Sequence, residues 1–259
     1  MKLDGRTALV TGASQGLGKA IALRFASEGA MVVLAARSLE RLAETAEDIE
    51  AAGGRALAVP TDLREPAAID ALAQRVEAEL GGIDVLVSGS GIAGPTAELW
   101  NVSPEEWDET IRVNLTGTFL TCRALLPAMV RRRAGSVVVI GSTTGKRPLF
   151  GRTPYAASKL ALVGLVRTLA AELGPHGVRV NLISPGAVAG PRIEAVIQAQ
   201  AEAAGTTYEA TLAQYAKEAP LGRFVPPEDV AAAAVFLAGD DSHSITGEDL
   251  NVSGGLAMY

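Results

Sequence analysis

Short apolar runs recur along the whole of this 259-residue chain, each separated from the next by a stretch with helical spacing. They fall at residues 7–10, 31–36, 55–60, 83–87, 136–140, 178–183 and 249–252, and they are continuous more than alternating. A strand that is apolar on both faces has to be covered on both faces, which is the situation of parallel strands with crossover helices above and below. The pattern predicts an α/β chain: one doubly wound domain over residues 1–259, built on a seven-stranded parallel sheet with helices on both faces.

The helices carry their own start and stop signals. Leu39, Leu42, Ala46 and Ile49 share one helical face, and Gly53-Gly54 follows the last turn. Ser103-Pro104-Glu105-Glu106 combines a capping serine, a proline in the first position and acids in the first turn. One segment breaks the rhythm. Residues 187–219 hold no strand, only two amphipathic patches at 192–204 and 208–218. A helical insertion after the carboxyl end of a strand predicts a substrate cover, with Val188, Ile193 and Val196 as apolar walls.

Charge and cysteine content narrow the function classes. Acidic residues outnumber basic ones 29 to 23, a net charge of -6, whereas nucleic-acid binding needs a basic face. The only basic run, Arg131 to Arg133, reads as a solvated helix end. The longest uncharged stretch, residues 85–97, falls short of the ~20 apolar residues a membrane helix needs. With one cysteine, Cys122, and no apolar leader behind Met1-Lys2-Leu3-Asp4, the expectation is a reduced, cytoplasmic setting and no membrane partner. Two histidines, His176 and His243, beside that cysteine supply too few ligands for a metal centre.

Between the first strand and the first helix the chain reads Thr11-Gly12-Ala13-Ser14-Gln15-Gly16-Leu17-Gly18. Glycines there allow a tight turn and the close approach of a pyrophosphate to the N–H groups at the helix start, the arrangement of a Rossmann-type dinucleotide site. An NAD site wants a carboxylate at the end of the second strand for the ribose 2′-hydroxyl. Here Ala35-Ala36-Arg37-Ser38 has no acid. Arg37 can form several charge-assisted bonds to a 2′-phosphate and Ser38 can add a hydroxyl, so NADP is expected over NAD.

Thr153-Pro154-Tyr155-Ala156-Ala157-Ser158-Lys159 opens a long helix after the fifth strand, with Thr153 as the expected cap and Tyr155 in the first turn. Lys159 is four residues on, over the same face. Bringing a phenol from pKa ~10 to near neutrality needs roughly 4 kcal/mol. One cation ~4 Å away supplies about that at an effective dielectric near 20. A tyrosine and a lysine at this spacing can therefore form a proton-transfer pair.

Tyr155-x-x-x-Lys159, Ser142 thirteen residues before the tyrosine, Asn114 in the preceding helix and Gly12-x-x-x-Gly16-x-Gly18 together resemble the short-chain dehydrogenase/reductase family. Asp62, Asn181 and Pro185-Gly186 also match, and the resemblance runs from about residue 3 to residue 255 and includes 3-oxoacyl-carrier-protein reductase-like members. It implies that Tyr155 exchanges a proton with a carbonyl or alcohol oxygen that Ser142 hydrogen-bonds. Lys159 would hold the nicotinamide ribose, and Asn114 a water linking Lys159 to solvent. Cofactor contacts would come from Gly12, Ser14, Gln15, Gly16, Leu17, Gly18, Arg37, Ser38, Asp62, Leu63, Ser88, Gly89, Ser90, Tyr155, Lys159, Pro185, Gly186 and Val188. Family habit adds a homotetramer.

Two positions depart from the family pattern: Ser88-Gly89-Ser90-Gly91 stands where Asn-Asn-Ala-Gly is usual, and Gly190 where a threonine often lies. The expected function is interconversion of a small-molecule ketone and a secondary alcohol. The alternatives are a 3-oxoacyl-thioester reductase and a non-catalytic, cofactor-sensing protein on the same fold. Gly12-Ala13-Ser14-Gln15-Gly16 also satisfies a hydrolase nucleophile-elbow pattern, with His243 as the sole base on offer. Lys146, Arg147, Arg152 and Arg192 flank the expected site and read as solvated loop charges, with recognition of an anionic substrate as the other reading.

Overall fold

The computed structural model describes residues 1–259. Its centre is one parallel sheet of seven strands: β1 (Thr7–Thr11), β2 (Met31–Ala36), β3 (Arg55–Pro60), β4 (Val85–Ser88), β5 (Gly135–Ile140), β6 (Val178–Pro185) and β7 (Asp249–Val252). They lie in the order β3-β2-β1-β4-β5-β6-β7. All six pairings are parallel, Leu9 facing Val33 on one side and Leu86 on the other. The order reverses between β1 and β4, and that switch opens a crevice at the carboxyl ends of the two strands.

Helices α1 (Gly16–Ser27), α2 (Leu39–Ala51), α3 (Pro66–Leu80), α4 (Pro104–Ile111), α5 (Gly117–Arg132) and α6 (Thr153–Leu173) connect the strands, followed by α7 (Pro191–Ala204), α8 (Tyr208–Glu218) and α9 (Pro227–Ala238). Their ends follow local chemistry. The Ser38 hydroxyl accepts from Arg41 N–H at the start of α2, Gly81 closes α3 in the left-handed conformation, and Ser103 and Glu106 form a reciprocal capping box on α4. Arg131 to Arg133 form an exposed helix end, as expected.

The sheet separates two apolar layers. Phe25, Ile21, Val32, Leu34 and Val235 belong to the layer under α1 and α9; Leu9, Leu86, Leu125, Met129, Leu162 and Val180 belong to the other. Each such side chain, fully buried, contributes about 1.5–3 kcal/mol. The helical stretch Pro104–Arg132 is long and apolar enough to cross a membrane by composition, but half of its most apolar 18-residue window is buried inside the molecule. Leu120, Cys122, Leu125, Leu126 and Met129 form its buried side.

Three boundaries differ from expectation. β4 begins at Val85 instead of residue 83, because the Asp84 carboxylate accepts the Thr7 N–H and ties the strand entry to β1. β6 runs on to Pro185 because β7 pairs with it through Val252. Helix α6 starts at Thr153 itself, with Arg152 in the cap position and no side-chain cap, yet Tyr155 stays in the first turn.

Candidate active site

At the switch point lies a cleft of about 1190 Å³. One drug-sized ligand needs roughly 300–1,000 Å³, so the cleft is large enough for a ligand bigger than that. Its floor at one end is the β1–α1 loop. Gly12 N–H donates to Ala35 O, and the Gln15 side chain accepts from Arg41 Nη1 at 2.7 Å. Helix α1 begins with no side-chain cap and no acid in its first turn, so its leading N–H groups are free for an anion. Gly18 packs α1 against the loop: a Cβ there would overlap the Gly12 carbonyl oxygen. These are the features a pyrophosphate requires, and the residues present fit a nicotinamide dinucleotide.

Most of the expected cofactor residues line this cleft: Gly12, Ser14, Gln15, Gly16, Leu17, Gly18, Arg37, Ser38, Asp62, Leu63, Gly89, Ser90, Tyr155, Lys159, Pro185, Gly186 and Val188. Arg37 is exposed and has no ion-pair partner. Arg41, one helical turn beyond it, also lines the wall, a residue that spacing alone could have flagged. Asp62 is gripped side-on by Arg64 at 2.6–3.1 Å, and that guanidinium holds its carboxyl below the usual range.

Ser88 is the exception. It is 2% exposed, does not line the cleft, and shares a hydrogen bond of 3.1 Å with the Thr118 hydroxyl inside the core. Ser88 is the last residue of β4, still paired with Thr11 and Val139, and its side chain turns inward. Bracing at this departure from the family pattern comes from Thr11, whose hydroxyl accepts the Gly89 and Ser90 N–H groups at 3.1 and 3.2 Å. Nothing in the spacing of Thr11 announced that role. The second departure has a backbone reason: Gly190 sits at φ 135°, where a threonine would be strained.

The other end of the cleft holds the titratable groups. Ser142 follows β5, and its hydroxyl accepts from Thr144 N–H at 3.1 Å. No hydrogen bond joins it to the Tyr155 hydroxyl, and both open onto the cleft. Lys159, 5% exposed, donates to Ile140 O at 2.8 Å, and its Nζ lies 5.8 Å from the centre of the Tyr155 ring. Burial, with the nearby charge of Arg192, pushes the Lys159 pKa down to about 7.

Asn114 sits behind this group, not in it. It lies in a π-helical turn joining α4 to α5, fully buried, and does not line the cleft. Its amide donates to Ile92 O and to the Ser158 hydroxyl, which donates onward to Tyr155 O, while its Oδ1 accepts from Ile92 N–H. Gly91 fills the gap, and a Cβ there would lie 3.2 Å from Asn114 Oδ1 and 3.5 Å from Lys159 Nζ.

Three of the four flanking charges are drawn into the protein, contrary to the reading from sequence, while Arg192 is exposed as that reading had it and donates to Gly91 O at 2.7 Å. Arg152 is 3% exposed, Lys146 is buried against Asp249 at 2.8 Å, and Arg147 pairs with Glu218 at 3.1 Å. Val188, Ile193 and Val196 do form part of the wall. The hydrolase pattern finds no support. His243 contacts Asp240, which pairs with Arg6 ahead of β1, so it lies at the opposite end of the sheet from Ser14.

A family model described as enoyl-(acyl carrier protein) reductase matches residues 12–257. The 3-oxoacyl-[acyl-carrier-protein] reductase FabG of Thermotoga maritima is 36% identical over 258 residues, 100% of each chain, and that of Escherichia coli is 35% identical over the same length. Among solved structures, actinorhodin polyketide ketoreductase with NADPH superposes with a TM-score of 0.94 at 35% identity, covering 98% of both chains. NAD+-bound xylitol dehydrogenase gives 0.96 at 28% identity, covering 98% of this chain and 100% of the other. Fold and cleft together define an oxidoreductase working with a nicotinamide dinucleotide. The chain belongs to the short-chain dehydrogenase/reductase family.

Proposed function

We propose that this protein interconverts a small-molecule ketone and the corresponding secondary alcohol with NADP(H). The observation that carries the reading is the convergence of Ser142, Tyr155 and buried Lys159 on one end of a cleft whose other end is a glycine-loop anion site. The dinucleotide supplies or accepts the hydride. Tyr155 gives its proton to the carbonyl oxygen during reduction and takes it back during oxidation. The Ser142 hydroxyl donates to the same oxygen and fixes its position beside the phenol. Lys159 places a group that titrates near neutrality beside the phenol and the ribose. Asn114 acts through its bonds to Ile92 and Ser158, holding the loop above Lys159 and the first turn of α6.

Preference for NADP rests on Arg37, with Arg41 one turn on and no carboxylate at the end of β2. The sole cysteine is buried and unpaired, consistent with a reducing, cytoplasmic setting. Exposed Phe119 on α5 and Leu160 on α6 support assembly into the homotetramer common in this family. The 3-oxoacyl-thioester reading is the second one, favoured by the names of the FabG relatives.

NADPH and NADH oxidation across cyclic, aryl, sugar-derived and thioester ketones tests both readings. Tyr155→Phe should lose about 10²–10⁴-fold in rate, the usual share of a positioned proton donor. Arg37→Glu should lower the NADP⁺ to NAD⁺ affinity ratio by about tenfold or more, one or two charge-assisted bonds' worth. Retention of most of the rate by Tyr155→Phe would refute the mechanism.

A further inference from the structure

Charge in the cleft is distributed against the trend of the molecule. A protein of net charge -6 lines this one cleft with seven basic side chains and three acidic ones. All three acids are already committed, Asp62 and Glu109 to Arg64 and Glu218 to Arg147. Arg37 and Arg41 stand at the glycine-loop end, where a cofactor phosphate would take them. Arg152 and Arg192 lie at the other end, beside Tyr155 and Lys159, and neither has a carboxylate partner.

Arg152 is the more demanding case. It precedes α6, where a cation meets the positive end of the helix dipole. Its Cζ lies 5.1 Å from the centre of the Tyr155 ring. Nη1 donates to Thr96 Oγ1 at 2.9 Å and Nη2 to Ala93 O at 2.6 Å, but buried Nε has no partner. A guanidinium carries five N–H donors, so Nε–H and the remaining Nη–H groups are left without a partner in the protein, enough for a side-on fork. Arg192, exposed and bonded to Gly91 O at 2.7 Å, is a like charge close enough to act on it, and burial together with Arg192 lowers the pKa of Arg152. A buried, half-bonded cation beside a like charge is costly unless an anion completes it. The cover helices shape that space from above: Tyr215 on α8 donates to Gln200 on α7 at 2.5 Å, and Gln200 donates to Phe150 O at 3.1 Å.

We propose that Arg152 is a specificity-determining residue that receives a carboxylate of the substrate, which makes the substrate a small oxo acid or hydroxy acid. This rests on the carbonyl–alcohol reaction proposed above and names its substrate class. The free fork matches a carboxylate in the bidentate manner, and the reacting oxygen of the same molecule reaches Tyr155 and Ser142.

The test is a set of 2-, 3- and 4-oxo carboxylates, each run against its own methyl ester with NADPH. At least one acid should surpass its ester in kcat/KM by about ten- to hundredfold, the worth of charge-assisted bonds, and through KM. Arg152→Gln should erase that difference, bringing acid and ester to the same kcat/KM within about threefold, since only the acid uses the fork. Arg152→Lys keeps the charge and loses the fork, and should raise the acid's KM severalfold more than the ester's, a second reading should the glutamine variant not fold. Equal use of acid and ester by the wild type overturns the assignment, as does an acid preference that survives in Arg152→Gln. Equal slowing of acid and ester with a displaced pH–rate profile would assign Arg152 to Tyr155 and overturn it too. If no carbonyl oxidises NADPH, the proposed reaction fails. Calorimetric titration of the same acids into the protein–NADP⁺ complex then decides the inference, which stands on binding that Arg152→Gln weakens and falls without it.

Discussion

Lys159 makes folding stability depend on pH in a direction unusual for a lysine. It is 5% exposed, its ammonium donates to the Ile140 carbonyl, and burial with the charge of Arg192 pushes its pKa down to about 7. In the unfolded chain it returns to about 10.4. Between those values the unfolded chain holds a proton that the folded chain lacks, so stability rises with pH through the window and is lost as the pH falls toward 7. From pH 7 to pH 9 the integrated gain is about 2 kcal/mol, approaching 1.4 kcal/mol per unit at the upper end. Lys159→Met keeps the apolar stem and removes the titration. Urea unfolding of both proteins without nucleotide, at one protein concentration, measures the difference at each pH. Wild type should gain about 2 kcal/mol on the variant between pH 7 and pH 9. Buried Cys122, whose thiol is pushed up to about 12, works the other way above pH 9 but is common to both chains and cancels. Parallel stability profiles, within about 0.5 kcal/mol, would refute the reasoning and return Lys159 to an ordinary charged state.

Two further substitutions separate site from scaffold. Gly18→Ala drives a Cβ into the Gly12 carbonyl oxygen, which no rotamer relieves; it should cost about 1–3 kcal/mol of stability and most of the affinity for nucleotide, read by thermal unfolding and by NADPH fluorescence titration. Ser103→Ala removes one half of the α4 capping box on the surface and should cost about 1 kcal/mol while leaving NADPH affinity unchanged, by the same two measurements.

Much of the fold and of the chemistry is legible residue by residue because it is local. Continuous apolar runs demand a parallel sheet, glycines and caps end the helices where the chain says they do, and a tyrosine four residues before a lysine shares a helical face whatever surrounds it. The glycine loop, Arg37 and the Tyr155-x-x-x-Lys159 pair are of this kind. What a residue faces across the molecule is not local. Ser88 looked like a cofactor contact, yet the hydroxyl of Thr118 on α5 holds it in the core. Thr11, at the end of a buried strand, braces the β4 loop only because β1 and β4 are neighbours at the switch point. Arg152 stands ten residues after Ser142 in a run of loop charges, and nothing near it in sequence buries it. Ala93 and Thr96, more than fifty residues earlier, hold its guanidinium, while α7 and α8 enclose the cleft beside it. Spacing along the chain determined which groups could do chemistry. Only the packing of distant segments decided which of them lost water, because desolvation depends on everything that surrounds a charge and not on its neighbours in sequence.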